Sequence, residues 1–198
     1  MVPNLGLDNS ADGATWVGGA LTLDAGLINP DNTSDAHLRN SLLFRYLQST
    51  AVFKCPADRS TARARGGLVL PRVRSLSMNG FLGRYLPDGS EVKGHFPGDE
   101  NYRVFRTYGD LVNPGPSMTH VFIDEREDSI NDSLFYTGMG RRGREAYIVD
   151  YPASYHNRAG GLSFADGHAE VKKWLDGRTT PPLRPGGAGV ERPFAGQS

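Results

Sequence analysis

Two groups of residues have the types and spacing to do chemistry. The first is Asp124-Glu125-Arg126-Glu127-Asp128-Ser129-Ile130-Asn131-Asp132, which packs five carboxylates and an amide into one short stretch. Hard cations such as Ca²⁺ take six to eight oxygen ligands from a flexible loop. Asp124, Glu125, Asp128, Asn131 and Asp132 are therefore the candidate calcium ligands. The stretch is not an EF-hand, because it lacks the central Gly and the terminal Glu at the required spacing. The alternative is a solvated acidic loop paired with neighbouring Arg residues. The second group is His156, Asp166 and His168. Two imidazoles and a carboxylate could hold a transition metal with open positions, and either His could act as a general base. The more ordinary reading is turn chemistry, with Asp166 and His168 bonded inside a tight turn. Gly161-Leu162-Ser163-Phe164-Ala165 approaches a nucleophile elbow, but an elbow needs strand, sharp turn and helix. Here the Ser lies within an expected strand, so the mechanics fail. Cys55 is the only cysteine. It reads as a buried, inert thiol, since a nucleophilic Cys needs a base partner that the sequence does not locate.

Several elements must position these groups. Asp166-Gly167 separates two alternating runs, 161–165 and 168–174, and predicts a hairpin with a two-residue type I′ turn and positive φ at both turn residues. Leu162 and Phe164 then share one face, and Ser163 and Ala165 the other. Thr119 to Ile123 is β-branched and aromatic, which predicts a central strand running into the acidic stretch. Val73 to Met78 predicts a strand stopped by Asn79-Gly80. Val52 to Cys55 reads as a short strand ended by Pro56, and Tyr147 to Val149 as another. Ser34 or Asp35 can cap a helix running to about Gln48, with Leu38, Leu42, Leu43, Tyr46 and Leu47 on its apolar face. Residues 1–33 read as an irregular arm anchored by Trp16 and 21–23. Residues 58–70 read as a loop, and 83–101 as a long excursion.

The chain of 198 residues suits one domain able to bury a core. We expect that domain over 1–176, followed by a Pro/Gly-rich tail over 177–198. Gly (25) and Pro (13) are abundant and only 38% of residues are hydrophobic, which describes a loop-rich protein rather than a helical bundle. Lys plus Arg equals Asp plus Glu at 22 each, so no bulk field recruits nucleic acid or an anionic membrane. The densest basic cluster, Arg59, Arg63, Arg65, Arg72 and Arg74, reads as a solvated loop. No apolar run approaches the roughly 18 residues of a membrane-spanning helix. The fold class is α+β.

The stretch from Tyr155 to Trp174 also carries a resemblance. His156, nine intervening residues and then Asp166-Gly167 resembles the signature that closes many prepilin-type secretion proteins. Phe53-Lys54-Cys55-Pro56-Ala57-Asp58, Arg74-Ser75-Leu76-Ser77-Met78-Asn79-Gly80 and Val121-Phe122-Ile123-Asp124-Glu125 fit that family in its order. The resemblance implies a pseudopilin-like head, with an N-terminal helix packed on a small antiparallel sheet with long loops. It implies an extracytoplasmic location, with other pseudopilin or secretion-system subunits as partners. Membrane contact would run only through a hydrophobic N-terminal helix, which this stretch does not show. Such heads often carry calcium in a loop after the sheet, which adds to the case for residues 124–132. The competing expectation is a calcium-dependent hydrolase that activates water against a small ester or lactone, with His156 or His168 as base. A carbohydrate-binding module using Tyr85, Tyr102 and Tyr108 is a weaker third.

Overall fold

The β-prone residues fall into nine strands among the described residues: β1 Thr61–Arg63, β2 Val69–Pro71, β3 Leu76–Asn79, β4 His120–Asp124, β5 Leu134–Phe135, β6 Tyr147–Ile148, β7 Ala159–Phe164, β8 Ala169–Lys173 and β9 Arg192–Pro193. Two α-helices, α1 Ala36–Arg39 and α2 Phe44–Leu47, precede them. These elements come from a computed structural model that describes residues 1–6, 14–24, 26–86, 88–92, 102–138, 147–184 and 192–193. The main sheet has the order β5-β3-β4-β7-β8 and is antiparallel apart from the β3–β5 pair. The expected central strand is therefore central, with β3 and β7 on its flanks. A register shift between His120 and Phe122 marks a bulge in β4, which kinks the strand and re-aims the residues beyond it. The architecture is α+β, with little helix.

Trp16 and Phe53 stack at 6.2 Å between centroids, and Trp16 meets Phe122 edge-on at 5.0 Å. Leu38, Met78, Leu82, Phe105 and Leu111 complete this core. The N-terminal arm is irregular as expected, yet Trp16 is fully buried, its indole donating to Asn4 Oδ1 and Ser133 O.

The helix expected from Ser34 or Asp35 to Gln48 is replaced by two helices of four residues each. Ser41 explains the break. Its hydroxyl donates to Trp16 O and accepts from Leu43 N, which diverts local backbone bonding away from a helix. Leu38 alone of the expected face is fully buried, while Tyr46 is 71% exposed. Asp35 makes no capping bond and pairs with Arg39 instead. Residues 50–53 form a 3-10 turn capped by Ser49, not a strand. Residues 58–70 hold most of a small hairpin, β1 with β2, which turns through Gly66 and Gly67 at positive φ. Part of the expected excursion, residue 87 and residues 93–101, lies outside the described residues.

The β7–β8 hairpin is present, but its turn has three residues. Phe164 N donates to His168 O at 2.9 Å, enclosing Ala165, Asp166 and Gly167. Gly167 has φ 95°, whereas Asp166 is not among the positive-φ residues. This geometry fits the three-residue hairpin loop, in which only the last position is left-handed. Asp166 Oδ1 accepts from His168 N at 3.2 Å, stabilising that form.

The basic cluster also divides. Arg59, Arg63 and Arg65 are exposed, but Arg72 and Arg74 are buried. Arg72 donates to Glu127 O, Thr22 O and Asn32 Oδ1. Arg74 donates to Leu76 O and Asp132 O and lies over the Trp16 ring. They fasten loops to the sheet instead of meeting solvent.

Candidate functional site at Cys55, Asp124 and His156

The chain turns at Pro56 immediately after Cys55. That turn is closed by Asp58 N donating to Cys55 O at 3.0 Å, while Cys55 N donates to Ser75 Oγ at 2.8 Å. The thiol is buried at the end of the sheet's inner strands, beside Ser75 and Asp124. Asp124 ends β4, and its Oδ2 accepts from Gly161 N at 2.9 Å. The glycine pair at the second and third positions of β7 makes this approach possible. A Cβ on Gly161 would lie 2.9 Å from Asp124 Oδ2, and one on Gly160 would lie 2.7 Å from Ala153 O. The same Ala153 O accepts from the Trp174 indole at 2.8 Å, so the end of β8 braces the loop before His156.

His156 is presented by a turn whose next two residues, Asn157 and Arg158, both have left-handed backbones at φ 54° and 63°. Non-glycine residues adopt that region at a cost of roughly 1 kcal/mol each. Surrounding bonds hold the turn: His156 N donates to Ala159 O, Arg158 N to Ser154 O and Trp174 N to Arg158 O. Next door, the Tyr155 hydroxyl donates to Glu127 Oε2 at 2.6 Å and accepts from Glu127 N. The result is a contact of 3.2 Å between Cys55 Sγ and His156 Nε2, across 101 positions of sequence. Ligand atoms of Cys55, Asp124 and His156 all lie within 4.8 Å of one another, the first two residues buried and the third exposed.

Burial raises the Cys55 thiol above its ordinary value, and the Asp124 carboxylate adds to the effect; the backbone N–H groups of Ala57 and Asp58 oppose it. Burial likewise raises Asp124, while the Gly161 amide, the thiol and His156 favour its ionised form. Two potential anions thus share a buried position whose one nearby imidazole reaches solvent. Among the described residues no Lys or Arg forms an ion pair with Asp124.

The remaining expected site residues are distributed elsewhere. Glu125 points inward and is fully buried; its Oε1 accepts from Ser129 Oγ at 2.7 Å, and burial pushes its pKa up to about 8. Asp128 pairs through both oxygens with Arg126 at 2.6 Å and accepts from Arg184 N. Asn131 is half-buried, and its carbonyl accepts from Leu21 N. Asp132 Oδ1 accepts from Leu134 N at 2.7 Å. These oxygens turn to different neighbours and do not offer the six to eight converging ligands that Ca²⁺ takes.

The second expected group also separates. Asp166 and His168 are joined, Oδ1 to Nδ1 at 2.6 Å, in the exposed turn. His156 lies at the opposite end of β7, and five residue steps along a strand span roughly 16 Å. Ser163 Oγ accepts from Phe122 N within the sheet, as its strand assignment required. Cys55 is the member of the site that sequence reasoning left without a partner. The signals for it are the Cys-Pro turn and the Gly160-Gly161 pair. No known protein family, curated protein or solved structure matches the chain.

Proposed function

We propose that the chain is the globular head of a pseudopilin-like protein working outside the cytoplasm, in a secretion or pilus-like assembly with other subunits of that kind. One observation carries the reading: the four separated sequence pieces behind the resemblance pack into one region. Cys55 of the first bonds Ser75 of the second at 2.8 Å. Ser75 O accepts from Glu125 N of the third. His156 and Gly161 of the fourth meet Cys55 and Asp124. Motifs scattered over more than a hundred residues thus share one cluster at the end of the sheet's inner strands. An α+β build around a single main sheet accords with such a head, although its helices are shorter than the resemblance implies.

The test is location. Leu175 is 88% exposed, so Leu175→Cys adds a reachable thiol while Cys55 stays buried. In intact cells of the source organism with a permeable outer envelope, a membrane-impermeant maleimide should label this variant and spare a cytoplasmic control. Labelling only after lysis sinks the proposal.

A second reading, hydrolysis of an ester or lactone, is favoured by the exposed imidazole of His156 beside a buried carboxylate. In it His156 is the general base, and the Asp166–His168 turn is not involved. Turnover of simple esters or lactones that falls about 100-fold or more on His156→Ala supports it; absence of turnover removes it.

A further inference from the structure

We propose that Cys55, Asp124 and His156 form a binding site for a zinc-class divalent cation, with a fourth position open to solvent. The donor set is the first argument. A thiolate and an imidazole select Zn²⁺ and its borderline neighbours over Ca²⁺ or Mg²⁺, and three protein ligands with an open position make a common zinc arrangement.

Geometry is the second. Tetrahedral zinc, with its usual bond lengths to S and N, places those two atoms about 3.5 Å apart. Cys55 Sγ and His156 Nε2 stand at 3.2 Å, so they need part by only a few tenths of an ångström. The carboxylate of Asp124 lies within the 4.8 Å cluster and is already oriented by Gly161 N. The third is charge. Thiolate and carboxylate together would bury two negative charges, and a divalent cation offsets both. Accommodation of the left-handed Asn157-Arg158 turn then has a consequence, because that turn delivers His156 to the other two. This site rests on the cluster itself and is independent of the pseudopilin-like reading.

The experiment is titration of the purified chain with Co²⁺ as a spectroscopic substitute, followed by displacement with Zn²⁺. We expect one equivalent to bind, with a thiolate-to-cobalt charge-transfer band and the visible bands of four-coordinate cobalt. Zn²⁺ should abolish both. Cys55→Ser should remove the charge-transfer band, and His156→Ala should weaken binding by about 100-fold or more. His156 is exposed, so that variant folds even if Cys55→Ser does not. Circular dichroism of each variant separates lost binding from lost structure. Absence of stoichiometric binding, or a charge-transfer band that survives His156→Ala at undiminished affinity, overturns the proposal. Failure here leaves the maleimide experiment untouched, and the converse also holds.

Discussion

Replacement of Glu125 by Gln should make stability less dependent on pH, with the benefit growing as pH rises. Glu125 is fully buried beside Asp150, whose own pKa is raised well above the carboxylate range by burial and by Glu125. Its Oε1 is satisfied by Ser129, while Oε2 has no hydrogen-bond partner of standard geometry among the described residues. Burial moves its pKa to about 8, against about 4.3 in the unfolded chain. Between those values the folded state holds a proton that the unfolded state has released. Stability from the protonated carboxyl is thus fully present below about pH 4 and is lost as pH climbs toward 8. Each pH unit in that window costs about 1.4 kcal/mol.

Glutamine copies the shape of the protonated acid and does not titrate. From pH 5 to pH 7, the stability of Glu125→Gln relative to the parent should therefore improve by about 3 kcal/mol. Urea unfolding at pH 5, 6, 7 and 8 measures the difference at each pH. In thermal melts it corresponds to roughly 6–12 °C for a chain of this size. A difference that does not vary with pH refutes the reasoning. So does a variant weaker by about 2 kcal/mol or more at pH 7, because it would mark Glu125 as the ionised partner of buried Arg74, whose own pKa burial lowers to about 10.

Two other substitutions probe the supports of the fold. Gly167→Val should cost about 1 kcal/mol or more, because φ is 95° there, while a Cβ meets nothing within 4 Å; unfolding midpoints that match the parent count against the three-residue turn. Arg126→Ala removes both bonds to Asp128 and those to Pro181 O and Pro182 O. It leaves a buried carboxylate uncompensated, so a loss of about 3–5 kcal/mol and faster proteolysis within 177–184 are expected. An unchanged cleavage rate would show that Arg126 does not hold that segment.

The elements whose cues are local were legible in the sequence. Asp166-Gly167 marked a hairpin and Asn79-Gly80 a strand end, and the β-branched run before Asp124 marked the middle of the sheet. The turn is one residue longer than Asp-Gly alone suggests because Asp166 can support either loop through its side chain, and here it accepts from His168 N. The helix failed for a non-local reason: Ser41 bonds the carbonyl of Trp16, 25 residues earlier. Arg72 and Arg74 read as loop charges because their carbonyl and side-chain acceptors lie up to 58 positions away. The acidic stretch looked like one loop with one purpose. Its side chains diverge because strand β4 ends inside it, so Asp124 and Glu125 point to opposite sides. Asp124 goes to Gly161 and the thiol, and Glu125 to Ser129 and the interior.

That divergence also separates the acidic stretch from the Cys55–Asp124–His156 cluster. A calcium site needs carboxylates to converge, and alternation at the end of a strand prevents neighbouring acids from doing so. The same alternation frees one carboxylate to meet ligands from other segments. Cys55 arrives from the Cys-Pro turn, Asp124 from β4 and His156 from the left-handed turn before β7, three places the chain brings together only by folding. A cation held there would link segments 101 residues apart and so act as a clasp at the end of the sheet's inner strands. Because His156 alone faces solvent, the clasp would remain accessible on one side. With two buried ligands and one exposed, such a cation would combine a structural role with an open coordination position.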